Sequence, residues 1–255
     1  MLMWRNDSGL TGKSVVVTGA AGGIGQSVVM GFAEAGCKVL LVDVPGSNLA
    51  QICDALPGNG HEIYETDLVE IKFHEEIFER AQAIAPLAAL AHCAAVIRRR
   101  DTVDEVTEED WDIQIDVNLK ATFFLNRAAR NAFKAAGTKG SIINFSSQAW
   151  SSGGYGGSVV YAASKGGIVS MTRGLARSFA LEGVRVNCVA PGCVATSMMV
   201  DTMSAEALQG FVDLIPMGRL ADPDEMVGAV LFLASEASTF VTGTVMNVSG
   251  GQLMY

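Results

Sequence analysis

Short, β-branched apolar runs alternate with longer stretches of helical spacing along the whole chain. Runs at 14–18, 38–42, 61–65, 88–92, 141–145, 184–189 and 245–248 are bounded by Gly or polar residues and read as seven strands. Several, such as Ser-Val-Val-Val at 14–17 and Lys-Val-Leu-Leu-Val at 38–42, are apolar at nearly every position, as strands covered on both faces must be. The alternation predicts an α/β fold, a doubly wound parallel sheet with helices on both faces. Helix starts are marked by Thr107 ahead of Glu108, Glu109 and Asp110. Asp222-Pro223-Asp224-Glu225 marks another, with a cap, a proline in the first turn and acids behind it. No linker, repeat or low-complexity tract divides residues 1–255, so one domain is expected. The exception in texture is Ser-Ser-Gly-Gly-Tyr-Gly-Gly-Ser at 151–158, whose four glycines predict a flexible loop between the fifth strand and the next helix.

Composition narrows the class. The 255 residues are 49% hydrophobic and 18% charged, which excludes a disordered chain and allows a large core. Eighteen Lys and Arg against 27 Asp and Glu leave a net charge of −9, which opposes a nucleic-acid backbone or an anionic membrane as partner. The five cysteines are scattered without a CxxC pair, and His61, His74 and His92 form no metal-ligand spacing. Neither a disulfide framework nor a protein-held metal is expected, and a reducing, cytoplasmic location fits. The opening MLMWRNDSG lacks the apolar stretch of a signal peptide, and the longest apolar tract, 85–97, is interrupted by His92. No membrane segment is expected.

The first strand ends in Thr18-Gly19-Ala20-Ala21-Gly22-Gly23-Ile24-Gly25, and a helical stretch over 24–35 follows, closed by Gly36. Glycines at 19, 23 and 25 allow a tight turn and close packing of helix on strand. A pyrophosphate can then sit against the helix N-terminal N–H groups and their dipole. Asp43 closes the second strand, 18 residues beyond Gly25, where a carboxylate would accept bonds from a ribose 2′-hydroxyl and repel a 2′-phosphate. Val44 follows it, so no basic neighbour offsets that repulsion. These residues predict a dinucleotide site that prefers NAD to NADP.

With these residues in view, the chain resembles the short-chain dehydrogenase/reductase family from about residue 10 to 251. The marks are Thr18–Gly25 as TGxxxGIG, Asp67-Leu68 after the third strand, Asn118, Ser147, Tyr161-xxx-Lys165 and Pro191-Gly192-xxx-Thr196. The family's Asn-Asn-Ala-Gly after the fourth strand reads His92-Cys93-Ala94-Ala95 here, so only Ala94 carries over. Its Asp-Gly-Gly near the C-terminus reads Ser249-Gly250-Gly251. The resemblance implies a Rossmann-type fold and a nicotinamide cofactor held by Gly19, Gly23, Ile24, Gly25, Asp43, Asp67, Leu68, Ala94, Tyr161, Lys165, Pro191, Val194 and Thr196. It also implies catalysis by Asn118, Ser147, Tyr161 and Lys165, with Ser146 the other candidate serine, and a variable substrate lid at about 193–220. Family members commonly form tetramers through the helices corresponding to residues 107–136 and 161–181.

The spacing itself supports the chemistry. Tyr161 and Lys165 stand one helical turn apart and so share a face. For a tyrosine to exchange a proton near neutral pH, its ordinary pKa near 10 must fall by roughly 3, equivalent to about 4 kcal/mol of anion stabilisation. A neighbouring ammonium can supply much of that, while Ser147 would orient the substrate oxygen. The expected reaction interconverts a secondary alcohol and a ketone, the hydride passing to or from the nicotinamide.

Arg98-Arg99-Arg100 is the one basic run in an acidic chain, and it follows the fourth strand at the carboxyl edge where ligands bind. A guanidinium there would clasp a carboxylate. Together with Pro216-Met217-Gly218-Arg219, the run is similar to sugar-acid and polyol dehydrogenases of the family, such as 2-deoxy-gluconate 3-dehydrogenases. Arg98, Ser147, Gln148 and Gly192 are the candidate substrate residues. Two alternatives stand beside this one: a 3-oxoacyl thioester reductase, and a non-catalytic dinucleotide sensor or structural subunit.

Overall fold

The computed structural model describes residues 8–201 and 203–255. Most of the opening segment judged against a signal peptide therefore lies outside the described residues. The chain runs β1 (Ser14–Thr18), α1 (Gly23–Glu34), β2 (Lys38–Asp43), α2 (Leu49–Asp54), β3 (Glu62–Glu65), α3 (His74–Ile84) and β4 (Leu87–His92). It continues with α4 (Glu108–Ile115), α5 (Ala121–Ala136), β5 (Gly140–Phe145), α6 (Ala149–Ser152), α7 (Val159–Phe179) and β6 (Val184–Pro191). The short helices α8 (Ser197–Val200) and α9 (Ala205–Val212), then α10 (Val227–Ala234) and β7 (Val245–Val248), complete it.

All pairings are parallel, in the order β3-β2-β1-β4-β5-β6-β7. Each of the seven runs expected from the pattern forms a strand, with ends shifted by at most two residues. The order reverses between β1 and β4, which opens a crevice at their carboxyl ends. Val15, Val17, Val39 and Leu41 face one way, against Val28, Val29 and Phe32 of α1 and Val230 and Leu233 of α10. Val16, Leu40, Val42 and Leu90 face the other way, against Ile77 and Phe78 of α3, Leu125 and Phe133 of α5, and Phe179 of α7. Burying each such side chain contributes roughly 1.5–3 kcal/mol, which explains why the central strands are apolar on both faces.

Thr107 caps α4 as expected, its hydroxyl accepting from Asp110 N while the Asp110 carboxylate accepts from Thr107 N. The helical stretch predicted from Thr107 is not uniform, because a π-turn at Asp116–Lys120 separates α4 from α5. The glycine-rich segment at 151–158 also departs from a flexible loop. Its first residues complete α6, Gly156–Ser158 form a 3₁₀ turn, and Ser158 Oγ bonds the Tyr155 backbone on both sides. Gly157 N donates to Arg100 O at 3.0 Å, tying the segment to the arginine run. Among the described residues no helix is long and apolar enough to cross a membrane.

Candidate active site

A cavity of about 780 Å³ occupies the crevice at the strand ends. At one end β1 delivers the chain into the turn before α1. Gly19 sits at φ +65°, and a Cβ there would lie 2.6 Å from Ala94 N. A Cβ on Gly25 would lie 1.9 Å from Gly19 O, so both positions require glycine. No side chain caps the first turn of α1 and no acid stands in it, leaving its N–H groups and dipole directed at the cavity. Asp43, at the end of β2, braces this turn: Oδ2 accepts from Ala21 N and Oδ1 from Val44 N, each at 2.8 Å. A carboxylate has lone pairs beyond these two bonds, so it can hold the loop and still accept a hydroxyl.

Beyond β5, Ser146 N bonds Val189 O and Gln148 N bonds Pro191 O, both at 2.8 Å, so Ser147 is held between two anchors on β6. The two serines separate clearly. Ser146 is buried and its Oγ donates to Lys165 O at 2.9 Å, whereas Ser147 hydrogen-bonds the Tyr161 phenol. Tyr161 and Lys165 lie on one face of α7, with Lys165 Nζ 5.5 Å from the Tyr161 ring centre. That ammonium donates to Phe145 O at 2.9 Å and is 2% exposed. Burial pulls it from the ordinary 10.5 to about 8, against the opposing influence of Cys188 and Cys93.

The phenol differs from the sequence expectation. The protein's own groups leave the Tyr161 pKa raised rather than lowered, because burial outweighs the Ser147 hydrogen bond and the positive charge of Arg99. The Arg99 guanidinium acts against that rise, and the Lys165 ammonium stands 5.5 Å from the phenol ring centre while donating to the Phe145 carbonyl.

Gly19, Gly23, Ile24, Gly25, Asp43, Ala94, Ser147, Gln148, Tyr161, Lys165, Pro191, Gly192, Val194 and Thr196 all line this one cavity. Gly192 N bonds Val248 O at 2.9 Å, and a parallel bridge between Val194 and Ala221 fixes the turn after β6. Four predicted positions, Leu68, Asp67, Asn118 and Arg98, lie outside this lining. Leu68 is buried in the core beside Ile77 and Phe78, and its carbonyl accepts from His74 Nε2 at 2.8 Å. Asp67 is exposed and bonds its own turn through Val69 N, in a separate acidic depression with Glu108 and Asp112. Asn118 is fully buried beneath the site: its Oδ1 accepts from Val96 N at 2.8 Å, and Nδ2 donates to Val96 O at 2.9 Å and Ser164 Oγ at 3.1 Å. Every one of those bonds is made to the chain itself.

The arginine run divides. Arg98 is exposed outside the cavity lining, its backbone N–H bound to Gln114 Oε1. Arg100 forms an ion pair with Asp110 at 2.8 Å. Arg99 lines the cavity and donates to Met198 O at 2.8 Å, which ties it to α8. Arg99 and Arg100 both line the cavity, with Arg100 held by Asp110, whereas Arg98 does not. Met198, Met199, Met203, Tyr155 and Phe211 complete an apolar wall, with Tyr155 and Phe211 in edge-on contact at 5.9 Å.

The residues present fit a nicotinamide dinucleotide: a glycine turn with room for phosphate at one end, an acid beside it, and Tyr161 with Lys165 at the other. Residues 19–252 match a family model described as Enoyl-(Acyl carrier protein) reductase. The chain is 35% identical over 253 residues to (3R)-3-hydroxyacyl-CoA dehydrogenase of Canis lupus familiaris, covering 94% of this chain and 95% of that protein. It is 36% identical over 248 residues to 2-dehydro-3-deoxy-D-gluconate 5-dehydrogenase of Escherichia coli K12, covering 96% of each. A solved structure from Agrobacterium tumefaciens, proposed to be a 2-deoxy-d-gluconate 3-dehydrogenase and carrying bound NADP, superposes with a TM-score of 0.85 at 32% identity, covering 97% of this chain and 99% of that one. The parallel sheet, the motif series and these relatives together make the chain a member of the short-chain dehydrogenase/reductase family, an oxidoreductase acting on CH–OH groups with a nicotinamide cofactor.

Proposed function

We propose that the chain interconverts a secondary alcohol and a ketone on a small sugar acid, polyol or similar hydroxy compound, with NAD as the preferred cofactor. The observation that carries this reading is the convergence of Ser147, Tyr161 and Lys165 on the cavity whose far end holds Gly19, Gly25 and Asp43. The nicotinamide, when bound, accepts or supplies the hydride. Tyr161 Oη gives the proton to, or takes it from, the substrate oxygen, and Ser147 Oγ bridges phenol and substrate. Lys165, placed a turn away and close to 8 in pKa, supplies positive charge to the cofactor end of the site. Asn118 supports the reaction by holding Val96 in the cavity wall. The segment 193–220, carrying α8 and α9, covers the substrate side as a lid.

Asp43 favours NAD, since its carboxylate would face a 2′-phosphate with no adjacent cation. The bound NADP of the Agrobacterium protein belongs to that protein. Arg99 in the cavity favours an anionic substrate. The second reading, reduction of a 3-oxoacyl thioester, is favoured by the apolar wall of Met198, Met199, Met203 and Phe211 and by the hydroxyacyl-CoA relative. A non-catalytic sensor is disfavoured by the intact Ser147-Tyr161-Lys165 arrangement. Half-exposed Trp111 on α4 and exposed Phe123 on α5 suit a cytoplasmic protein that self-associates through these helices, as a tetramer. The test is nicotinamide absorbance with polyols, sugar acids and 3-oxoacyl thioesters, each with NAD(H) and NADP(H). Turnover of sugar acids with NAD is expected; turnover confined to thioesters with NADPH would select the second reading.

A further inference from the structure

His92 stands where the family pattern has an asparagine, and its hydrogen bonds fix its tautomer. Thr122 Oγ1 has one proton, which it donates at 2.6 Å to the carbonyl of Asn118, an oxygen able only to accept. The His92 Nε2 atom, 2.8 Å from Thr122 Oγ1, must therefore be the donor to that hydroxyl. Nδ1 is then bare, and it accepts the Thr18 hydroxyl proton at 2.6 Å. The ring is 2% exposed, so both of its polar atoms depend on these two partners.

The two ends of this bridge hold one stretch of cavity wall. Thr18 directly precedes Gly19, and its carbonyl accepts from Cys93 N at 3.1 Å. Asn118 grips Val96 through both N and O. Residues 93–96, which line the cavity, are thus anchored at the phosphate-turn side by Thr18 and at the π-turn side by Asn118. His92 ties the two anchors to each other.

We propose that His92 is a positioning residue: as a neutral ring with its proton on Nε2, it sets the spacing between the phosphate turn and the wall at 93–96, and thereby the affinity for the dinucleotide. The inference rests on the dinucleotide reading above. Charging the ring would put a second donor against Thr18 inside a fully buried space faced by Lys165 of α7 and His74 of α3. Burial and these two groups push its pKa down from 6.5 to about 3, so the bridge stays intact through the neutral range.

The test uses the full chain. Nitrogen-15 NMR of the labelled protein is expected to show His92 as a neutral ring protonated at Nε2 across about pH 6 to 8. Binding of NADH is followed by fluorescence in three variants. His92→Asn places an amide oxygen where Nδ1 accepts from Thr18, His92→Gln places an amide nitrogen where Nε2 donates to Thr122, and His92→Phe keeps neither. The Phe variant, which loses both partners, is expected to bind NADH at least about tenfold more weakly. The Asn and Gln variants, each keeping one of the two anchors, should fall between wild type and the Phe variant. A charged ring or an Nδ1-protonated ring at neutral pH overturns the proposal, as does a folded Phe variant with wild-type affinity. Should the Phe variant fail to fold, wild-type NADH affinity in both the Asn and Gln variants overturns it. Wild-type protein binding neither NADH nor NADPH would instead overturn the dinucleotide reading, and with it the cofactor role of His92, while the tautomer is still read separately.

Discussion

The ammonium of Lys165 donates to the carbonyl of Phe145, the last residue of β5, across 2.9 Å of fully buried space. The bond fixes where the positive charge sits relative to Tyr161, and it obliges the fold to keep a cation out of water. Because burial lowers the pKa from 10.5 to about 8, the unfolded chain binds this proton more tightly than the folded one between those values. Stability conferred by wild-type Lys165 therefore rises as pH goes from about 8 to 10.5, and below about 8 the folded state carries the full desolvation penalty. Lys165→Met removes that penalty along with the charge. Turnover is expected to fall by about 10²–10⁴. In denaturant titrations the wild type should gain on the variant as pH rises through that window; a difference independent of pH would contradict the assignment.

Asp43 acts on the phosphate turn as well as on cofactor choice. Asp43→Ala leaves Ala21 N and Val44 N without their carboxylate, a loss of about 1–3 kcal/mol by denaturant titration. It also removes the charge that would repel a 2′-phosphate. The ratio of kcat/KM for NAD to that for NADP should fall by about tenfold or more, the equivalent of 1.4 kcal/mol. An unchanged ratio would show that Asp43 braces the loop without reading the ribose.

Two glycine substitutions should have opposite signs. In Gly25→Ala the new Cβ meets Gly19 O at 1.9 Å and Ala20 Cα at 3.0 Å, both backbone atoms that cannot swing aside. A loss of about 3 kcal/mol or more and of NADH binding is expected. Gly228, exposed on α10, has nothing within 4 Å of its Cβ position, so Gly228→Ala should raise stability by about 0.5–1 kcal/mol. Thermal melts of the pair check this, and similar shifts in both would remove the steric account of the phosphate turn.

These positions also show what the sequence makes legible. Strands such as 14–18 and 38–42 could be read because burial on both faces leaves a continuous apolar run, and the phosphate turn because its glycines answer a backbone requirement. Tyr161 and Lys165 share a face through helical spacing alone. Side-chain direction in irregular backbone carries no such period. Ser146 and Ser147 are neighbours, yet one bonds the α7 backbone and the other the phenol. Leu68 follows a strand end as a cofactor contact would, but the turn at Asp67 sends it into the core. Asn118 stands out only through the family motif, because the partner its amide reaches, Val96, lies 22 positions away.

Arg99 gives the sharpest case, because the residue singled out as the substrate contact was its neighbour. Both are exposed, but Arg98 lies outside the cavity, while Arg99 lines it, holds Met198 O of α8 and opposes the rise of the Tyr161 pKa. Arg99→Gln should therefore do three things that Arg98→Gln does not. It should raise KM for an anionic substrate about tenfold relative to a neutral analogue, the range of a charge-assisted hydrogen bond. It should loosen the lid, which limited proteolysis within α8 would report. It should move the Tyr161-dependent limb of the pH profile of kcat/KM upward, since the phenol loses a cation that favours its ionised form. Equal effects of the two substitutions on KM would remove the anionic subsite. An unmoved pH limb in Arg99→Gln would show that the guanidinium serves the lid and the substrate without reaching the proton-transfer step.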